Sequence, residues 1–331
     1  MLEAFRAFVV EKNGDRFSHG IQTLSVDDLP EGEVLVRVRW SCLNYKDGLA
    51  CTREAKVVRS YPMVPGIDLA GTVLESRDSR FRPGDRVLAT GYDLGVSHYG
   101  GWSRLARVPA DWLHHVPSGW TEKEAMIIGT AGFTAALAVR KLEANGLRPD
   151  RGPVLVTGAT GGVGSLAVAL LARRGYRVVA ATGKDEPEFL RSLGAADIIP
   201  RAELNPDDIR PLDRQRWAGA VDSVGGRTLA HVLSSTMQWG SVAAVGLAQS
   251  NRLETTVYPF LLRGVNLLGI DSAFIPRSVR EEVWPAIAKD LDSEFLKRFV
   301  FAETDLNGLP AHVDRILKGQ IRGRVLVNLE A

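Results

Sequence analysis

Cysteine is nearly absent: the chain of 331 residues has two, Cys42 and Cys51. Two cysteines in no metal-ligand spacing exclude a disulfide framework and a local thiolate zinc site. An excess of one charge is lacking too. With 41 Lys and Arg against 39 Asp and Glu, the formal net charge is +2, which offers no electrostatic case for a nucleic-acid or anionic-membrane partner. The opening MLEAFRAFVV lacks the apolar region of a signal peptide, and no run approaches a membrane span, so the expected location is the cytoplasm. Repeats, low-complexity tracts and disordered linkers are missing as well. What remains is an ordinary globular composition, 45% hydrophobic and 24% charged, on a chain too long for one core and suited to two domains.

The clearest stretch runs from Val154 to Gly164. Val154, Leu155, Val156 and Thr157 form a short buried strand, glycines at 158, 161, 162 and 164 break it, and an apolar segment from Leu166 to Ala172 continues to Gly175 as a helix with a glycine stop. Glycines at a helix N-terminus let a pyrophosphate approach unpaired N–H groups and the positive end of the helix dipole. A tight turn needs glycine for structural reasons alone, so context decides. A second buried strand, Arg177 to Thr182, follows about twenty residues on, where the dinucleotide fold reads the adenosine ribose. It ends Thr182-Gly183-Lys184, with no carboxylate before Asp185. A hydroxyl, a glycine N–H and an ammonium suit a 2′-phosphate, which favours NADPH over NADH; the alternative for Lys184 is a solvated loop residue.

Residues 1 to about 120 read as mostly β. Val34 to Trp40 alternates apolar and charged side chains, and Leu69 to Glu75 and Arg86 to Thr90 lie between Pro-Gly turns. Thr121 to Glu124 is a capping box opening an Ala-rich helix to Leu142. Strands and helices then alternate: strands at Asp197 to Ile199, Gly219 to Asp222, Ser241 to Val245 and Val265 to Ile270, helices at Glu186 to Leu193 and Thr228 to Met237. A parallel sheet wrapped on both faces is expected. A helix from Val279 to Leu291 and a strand from Arg324 to Leu329 should return to the first domain.

A β domain, a Rossmann domain carrying VTGATGGVG and a C-terminal return resemble the medium-chain dehydrogenase/reductase superfamily. The motifs LNYKD (43 to 47), MVPGIDLAGTV (63 to 73), GTAGFTAALAV (129 to 139), AGAVDSVGG (218 to 226) and IRGRVLVNL (321 to 329) resemble its quinone oxidoreductase family, and within that the NADPH-dependent acryloyl-CoA reductase branch. The resemblance implies an α/β chain: a GroES-like β-barrel catalytic domain (1 to 125 and 274 to 331) and a Rossmann doubly wound domain (126 to 273) that binds NADPH. Where zinc relatives place a Cys and a His, this chain has Asn44 and Ile67, and residues 90 to 103 hold no Cys. No metal is therefore expected. His98, His114 and His115 are expected at the surface.

For an α,β-unsaturated thioester, hydride adds at the β-carbon, negative charge collects on the thioester oxygen, and the α-carbon takes a proton. The resemblance places Asn44 and Tyr45 near the nicotinamide. Tyr45 can orient the cofactor, donate to the oxygen or relay the proton, or serve only as a packed aromatic between domains. Asp47 reads as a cap. Carried over by position, Thr160, Gly161, Gly162 and Val163 cradle the pyrophosphate. Thr182, Gly183, Lys184 and Arg201 hold the 2′-phosphate, and Leu247, Ile270 and Asp271 line the nicotinamide. Lys184 stands where relatives often use Arg. Arg324 is a weaker cofactor candidate, because an Arg before a final strand is usually a surface ion pair, and Arg53, Lys56 and Arg59 read either as a place for coenzyme A phosphates or as a solvated, mobile loop. The expected partners are a small acyl-CoA or quinone substrate and a second copy of the chain, paired through the exposed edge strand Val265 to Ile270. An NADPH:quinone oxidoreductase, or an NADPH-binding protein without turnover like the lens proteins of this family, are the alternatives.

Overall fold

A computed structural model describes residues 4–54 and 56–331; the first three residues of the segment read for a leader lie outside that range. The chain divides into two compact units. One takes in the chain to Thr130 with Ala273–Ala288 and Ser293–Ala331, and the other takes Ala131–Ser272 with Lys289–Asp292.

The first unit is built on a sheet of seven strands. Val300–Thr304, Arg324–Asn328, Val34–Leu43, Asp68–Ser76, Arg86–Thr90 and His114–His115 pair in that order, and Leu105–Val108 pairs with Val34–Leu43. Alternation is visible on Val34–Leu43, where Val36 and Val38 are buried while Arg37 and Arg39 point out. The hairpin Phe5–Asn13 with Arg16–Leu24 adds Phe8 and Val10 to a core that also holds Leu69, Trp102, Leu113 and Val327. The C-terminal return is real: Arg324–Asn328 runs antiparallel against Trp40–Leu43.

The second unit holds six parallel strands in the order Asp197–Pro200, Val178–Thr182, Val154–Thr157, Trp217–Asp222, Thr236–Ala244, Asn266–Gly269. Numbered along the chain this is 3-2-1-4-5-6, the dinucleotide-fold order, with its switch point between Val154–Thr157 and Trp217–Asp222. Helices Gly162–Arg173 and Gly226–Ser235 provide two of the crossovers, and Asn266–Gly269 stands at one edge.

Several expectations are corrected. The helix expected over Thr228 to Met237 ends at Ser235, and Thr236 begins a strand. Among the described residues one helix is long and apolar enough to cross a membrane, Glu122–Ala144, yet 83% of its apolar window is buried in the protein, so that apolarity serves the core. His114 is not a surface residue. It is 5% exposed, and burial, reinforced by Arg277 and Arg280, pushes its imidazole down to about 3. His98 is partly buried and burial lowers its pKa too. Arg53 and Arg59 lean on Asp15 and Asp93.

Candidate active site

In the second unit, Val154–Thr157 ends at Gly158, whose φ of +58° is a backbone that L side chains rarely adopt. A Cβ on Gly164 would fall 2.3 Å from the Gly158 carbonyl oxygen, so this glycine closes the turn against the helix. A Cβ on Gly161 would sit 3.3 Å from the Gly158 carbonyl oxygen, a tight contact that favours glycine here as well. The helix Gly162–Arg173 starts there with no side-chain cap, so the N–H groups of Gly162 and Val163 remain for a ligand.

The neighbouring strand end is drawn to the same turn. Thr160 Oγ1 lies 3.2 Å from Thr182 Oγ1, and the Lys184 N–H donates to Thr182 Oγ1 at 3.0 Å. Arg201 lies flat across Gly183, where a Cβ would fall 2.7 Å from Arg201 Cδ. Burial lowers the Lys184 pKa against the pull of Glu186, so a nearby anion would favour the charged ammonium. At the switch point Asp222 is fully buried, and burial raises its pKa although Thr157 Oγ1 and the Gly225 N–H donate to it. Leu247 and Asp271 are exposed, and Ile270 follows the edge strand with its N–H on the Ala244 carbonyl.

The first unit contains a buried polar cluster that the sequence reading largely missed. Asn44 ends Val34–Leu43 and opens the short helix Tyr45–Ala50. Asp47 caps that turn, as expected, and more. Its Oδ2 accepts the Asn44 N–H (2.9 Å) and Nδ2 (3.2 Å), while Oδ1 accepts the N–H groups of Gly66 and Ile67. Burial and the nearby Asp68 carboxylate push Asp47 up to about 7. Asp68 accepts from Asn44 Nδ2 (2.9 Å), Cys42 Sγ (3.0 Å), the Thr130 N–H (3.0 Å) and the Thr130 hydroxyl (2.5 Å).

Arg324 completes the cluster, and its expected surface position is corrected: it is 2% exposed. Its guanidinium donates to the Ile127 carbonyl (3.0 Å), Asn44 Oδ1 (3.2 Å) and Cys42 Sγ (2.8 Å), and lies 3.9 Å from Asp68. Gly129 breaks the helix Glu122–Ala144 here with φ +50°. A Cβ on it would come within 3.0 Å of Asp68, Arg324 and Cys42. The break turns a carbonyl toward the cation and an N–H toward the anion, each satisfying a group that an unbroken helix would have consumed. Cys42 and Cys51 are both buried and free; burial pushes the Cys51 thiol up to about 12 and Cys42 well above its ordinary value.

Asn44 therefore has its amide engaged on both sides, while Tyr45, the next residue, is 50% exposed. Among the described residues no group of three or more His, Cys, Asp or Glu side chains could hold a metal ion. Where zinc relatives carry ligands, Asn44 belongs to this closed network, and Ile67 contributes its backbone N–H to Asp47.

A six-stranded Rossmann sheet in one unit and a GroES-like β sheet in the other define an oxidoreductase of the medium-chain type. The chain belongs to the medium-chain dehydrogenase/reductase superfamily, within its quinone-oxidoreductase-like members. The family models that match are the alcohol dehydrogenase GroES-like domain over residues 30–118 and the zinc-binding dehydrogenase over residues 162–289. The chain is 51% identical over 330 residues to an acrylyl-CoA reductase, AcuI, of Ruegeria pomeroyi, covering 99% of this chain and 100% of that one. Among solved structures it is similar to the yhdH oxidoreductase of Salmonella enterica in complex with NADP (TM-score 0.94, 47% identity, 98% and 99% coverage). The Bacillus subtilis protein yhfP with NAD bound is similar to the same degree (TM-score 0.95, 49% identity, 99% and 100% coverage).

Proposed function

We propose that the chain reduces the carbon–carbon double bond of acryloyl-CoA to give propanoyl-CoA, with NADPH as the reductant. Bound NADPH supplies a hydride to the β-carbon; the α-carbon takes a proton, so one substrate, one NADPH and one proton give propanoyl-CoA and NADP⁺. The observation that carries the reading is Tyr45: a half-exposed phenol next to an asparagine locked into a buried network. Its hydroxyl donates to the thioester oxygen as negative charge gathers there. Asn44 contributes by fixing the turn from which Tyr45 projects. Relatives at about 50% identity include both an acrylyl-CoA reductase and a protein named as a quinone oxidoreductase, so the likeness supports reduction of an activated acceptor, and turnover decides between thioester and quinone. Steady-state oxidation of NADPH with acryloyl-CoA and with 1,4-benzoquinone at matched concentrations tests it. A kcat/KM higher for the quinone would transfer the assignment to a quinone oxidoreductase, and binding of NADPH without turnover of either would leave a non-catalytic binding protein.

For the cofactor we assign Thr160, Gly161, Gly162 and Val163 to the pyrophosphate. Thr182, Gly183, Lys184 and Arg201 take the 2′-phosphate, Leu247, Ile270 and Asp271 the nicotinamide end. The uncapped start of the helix Gly162–Arg173 and the guanidinium across Gly183 fit this group. Lys184→Ala is expected to weaken NADPH binding by about 1–3 kcal/mol, the scale of one charge-assisted contact, with NADH nearly unaffected. Fluorescence titration with both cofactors checks it, and equal loss for both would contradict the assignment.

We also propose a homodimer, working in the cytoplasm. Among the described residues the edge strand Asn266–Gly269 pairs with Thr236–Ala244 alone. Trp239 on Thr236–Ala244, and Val257, Tyr258, Leu261 and Leu262 in the segment before the edge strand, are exposed, Leu261 to 74%. Exposed apolar side chains on the segments next to an edge strand invite a second copy. Leu261→Asp is expected to lower the mass seen by light scattering from twice 36.0 kDa to 36.0 kDa. A wild-type protein already at the monomer mass would defeat the proposal.

A further inference from the structure

We propose that Arg324 is a positioning residue: it holds the Asn44 amide in one orientation and through it sets Tyr45 for the reaction. This rests on Tyr45 being the donor proposed above. An amide can be turned end for end at little steric cost, so its orientation is decided by its neighbours. Arg324 offers only donors, and one of them reaches Asn44 Oδ1 at 3.2 Å. On the opposite side the carboxylates of Asp47 and Asp68, acceptors both, take Asn44 Nδ2 at 3.2 and 2.9 Å. The reversed amide would point NH₂ at a guanidinium and a carbonyl oxygen at two carboxylates. One orientation is left.

That orientation matters because Asn44 is the extended residue that opens Tyr45–Ala50. With its N–H on Asp47 and its side chain held from two sides, the direction in which the next residue leaves is set. Arg324 is itself held: Nε on the Ile127 carbonyl, one terminal nitrogen on Cys42 Sγ. The Cys42 thiol in turn donates to Asp68, so the cation is tied to the anion through sulfur as well as directly. Three acceptors in different directions suit a planar fork of five N–H groups and not a single ammonium. Arg324 lies buried beneath Tyr45's neighbour rather than at the surface, which is why we assign it no contact with substrate.

The test uses the full chain, with kcat and KM for acryloyl-CoA, the dissociation constant for NADPH, and thermal unfolding measured together. Arg324→Lys keeps a charge beside Asp68 but cannot serve all three acceptors. We expect it to fold, to bind NADPH as the wild type does, and to lose about 10- to 100-fold in kcat, the scale of an ångström-sized misplacement of a reacting group. Arg324→Ala is expected to lose at least as much, and added guanidinium, which refits the vacated place, is expected to restore part of kcat without changing KM. The same substitution in a Tyr45→Phe background should cost little more than Tyr45→Phe alone. An Arg324→Lys protein with wild-type kcat overturns the proposal, as does a full further loss in the Tyr45→Phe background. Full activity of Tyr45→Phe itself would remove the donor reading, while the response of kcat to Arg324→Lys and to guanidinium still reports on Arg324.

Discussion

Replacing Asp68 by alanine is expected to destabilise the first unit by about 3–5 kcal/mol, the range found when one partner of a buried ion pair is removed. The size follows from what is orphaned. Asp68 is fully buried and accepts from Asn44, Cys42 and both the N–H and hydroxyl of Thr130. Without it, the Arg324 guanidinium stays buried with no carboxylate within 4.0 Å among the described residues, and the Thr130 N–H at the helix break loses its acceptor. Asp68→Asn should cost less, since it keeps the volume and one acceptor oxygen while removing the charge. Urea unfolding of the three proteins, followed by a probe in the first unit, measures both. An Asp68→Ala unfolding free energy within a few tenths of a kcal/mol of wild type would mean that water reaches the cluster and replaces the carboxylate.

Loss of Asp68 also has a signed consequence for Asp47. With a folded pKa near 7 against an unfolded value of 3.8, Asp47 binds more protons in the folded state between those limits. Its contribution is therefore present below pH 3.8 and lost as pH rises toward 7. Asp68 is one of the two causes of that rise, burial being the larger, so the pH dependence of stability across this window should flatten in the Asp68 variants.

The second unit was legible in the sequence because its information is local. Each strand is a short apolar run, each turn carries its glycine, and the observed strands Val154–Thr157, Val178–Thr182 and Asp197–Pro200 lie within a residue of where the runs place them. Errors arose where a boundary depends on pairing, as at Thr236, which leaves the helix pattern to pair with Trp217. The cluster in the first unit was much less legible. Asn44 and Asp47 stand in one motif, but Asp68 and Arg324 come from separate parts of the chain and meet through the pairings of Val34–Leu43 with Asp68–Ser76 and with Arg324–Asn328, while Thr130 reaches them at the Gly129 break of a helix. A lone arginine opening a strand is ordinarily a surface residue, and no local pattern distinguishes one that meets a buried carboxylate. Gly129 was a possible signal, a glycine inside an apolar helical run.

Tyr45→Phe is expected to lower kcat by about 10²–10³-fold, the effect of removing one donor to a developing oxyanion. The substitution keeps the ring and removes one oxygen. Half of Tyr45 is exposed, so the loss of packing is small and stability should change by less than about 1 kcal/mol. If the phenol meets negative charge that exists only as hydride is delivered, kcat and kcat/KM fall together while KM stays near its wild-type value. If Tyr45 serves instead to hold the ground-state thioester, KM rises and kcat is kept. A ring that only packs leaves both unchanged. NADPH affinity separates a fourth case, because a hydroxyl that orients the cofactor would weaken its binding, whereas a donor to the substrate oxygen would not. Only the first pattern, with NADPH binding intact, agrees with a phenol that stabilises the enolate oxygen. Tyr45→Ala would then cost no more in the chemical step than Tyr45→Phe, since the oxygen is what both variants lack.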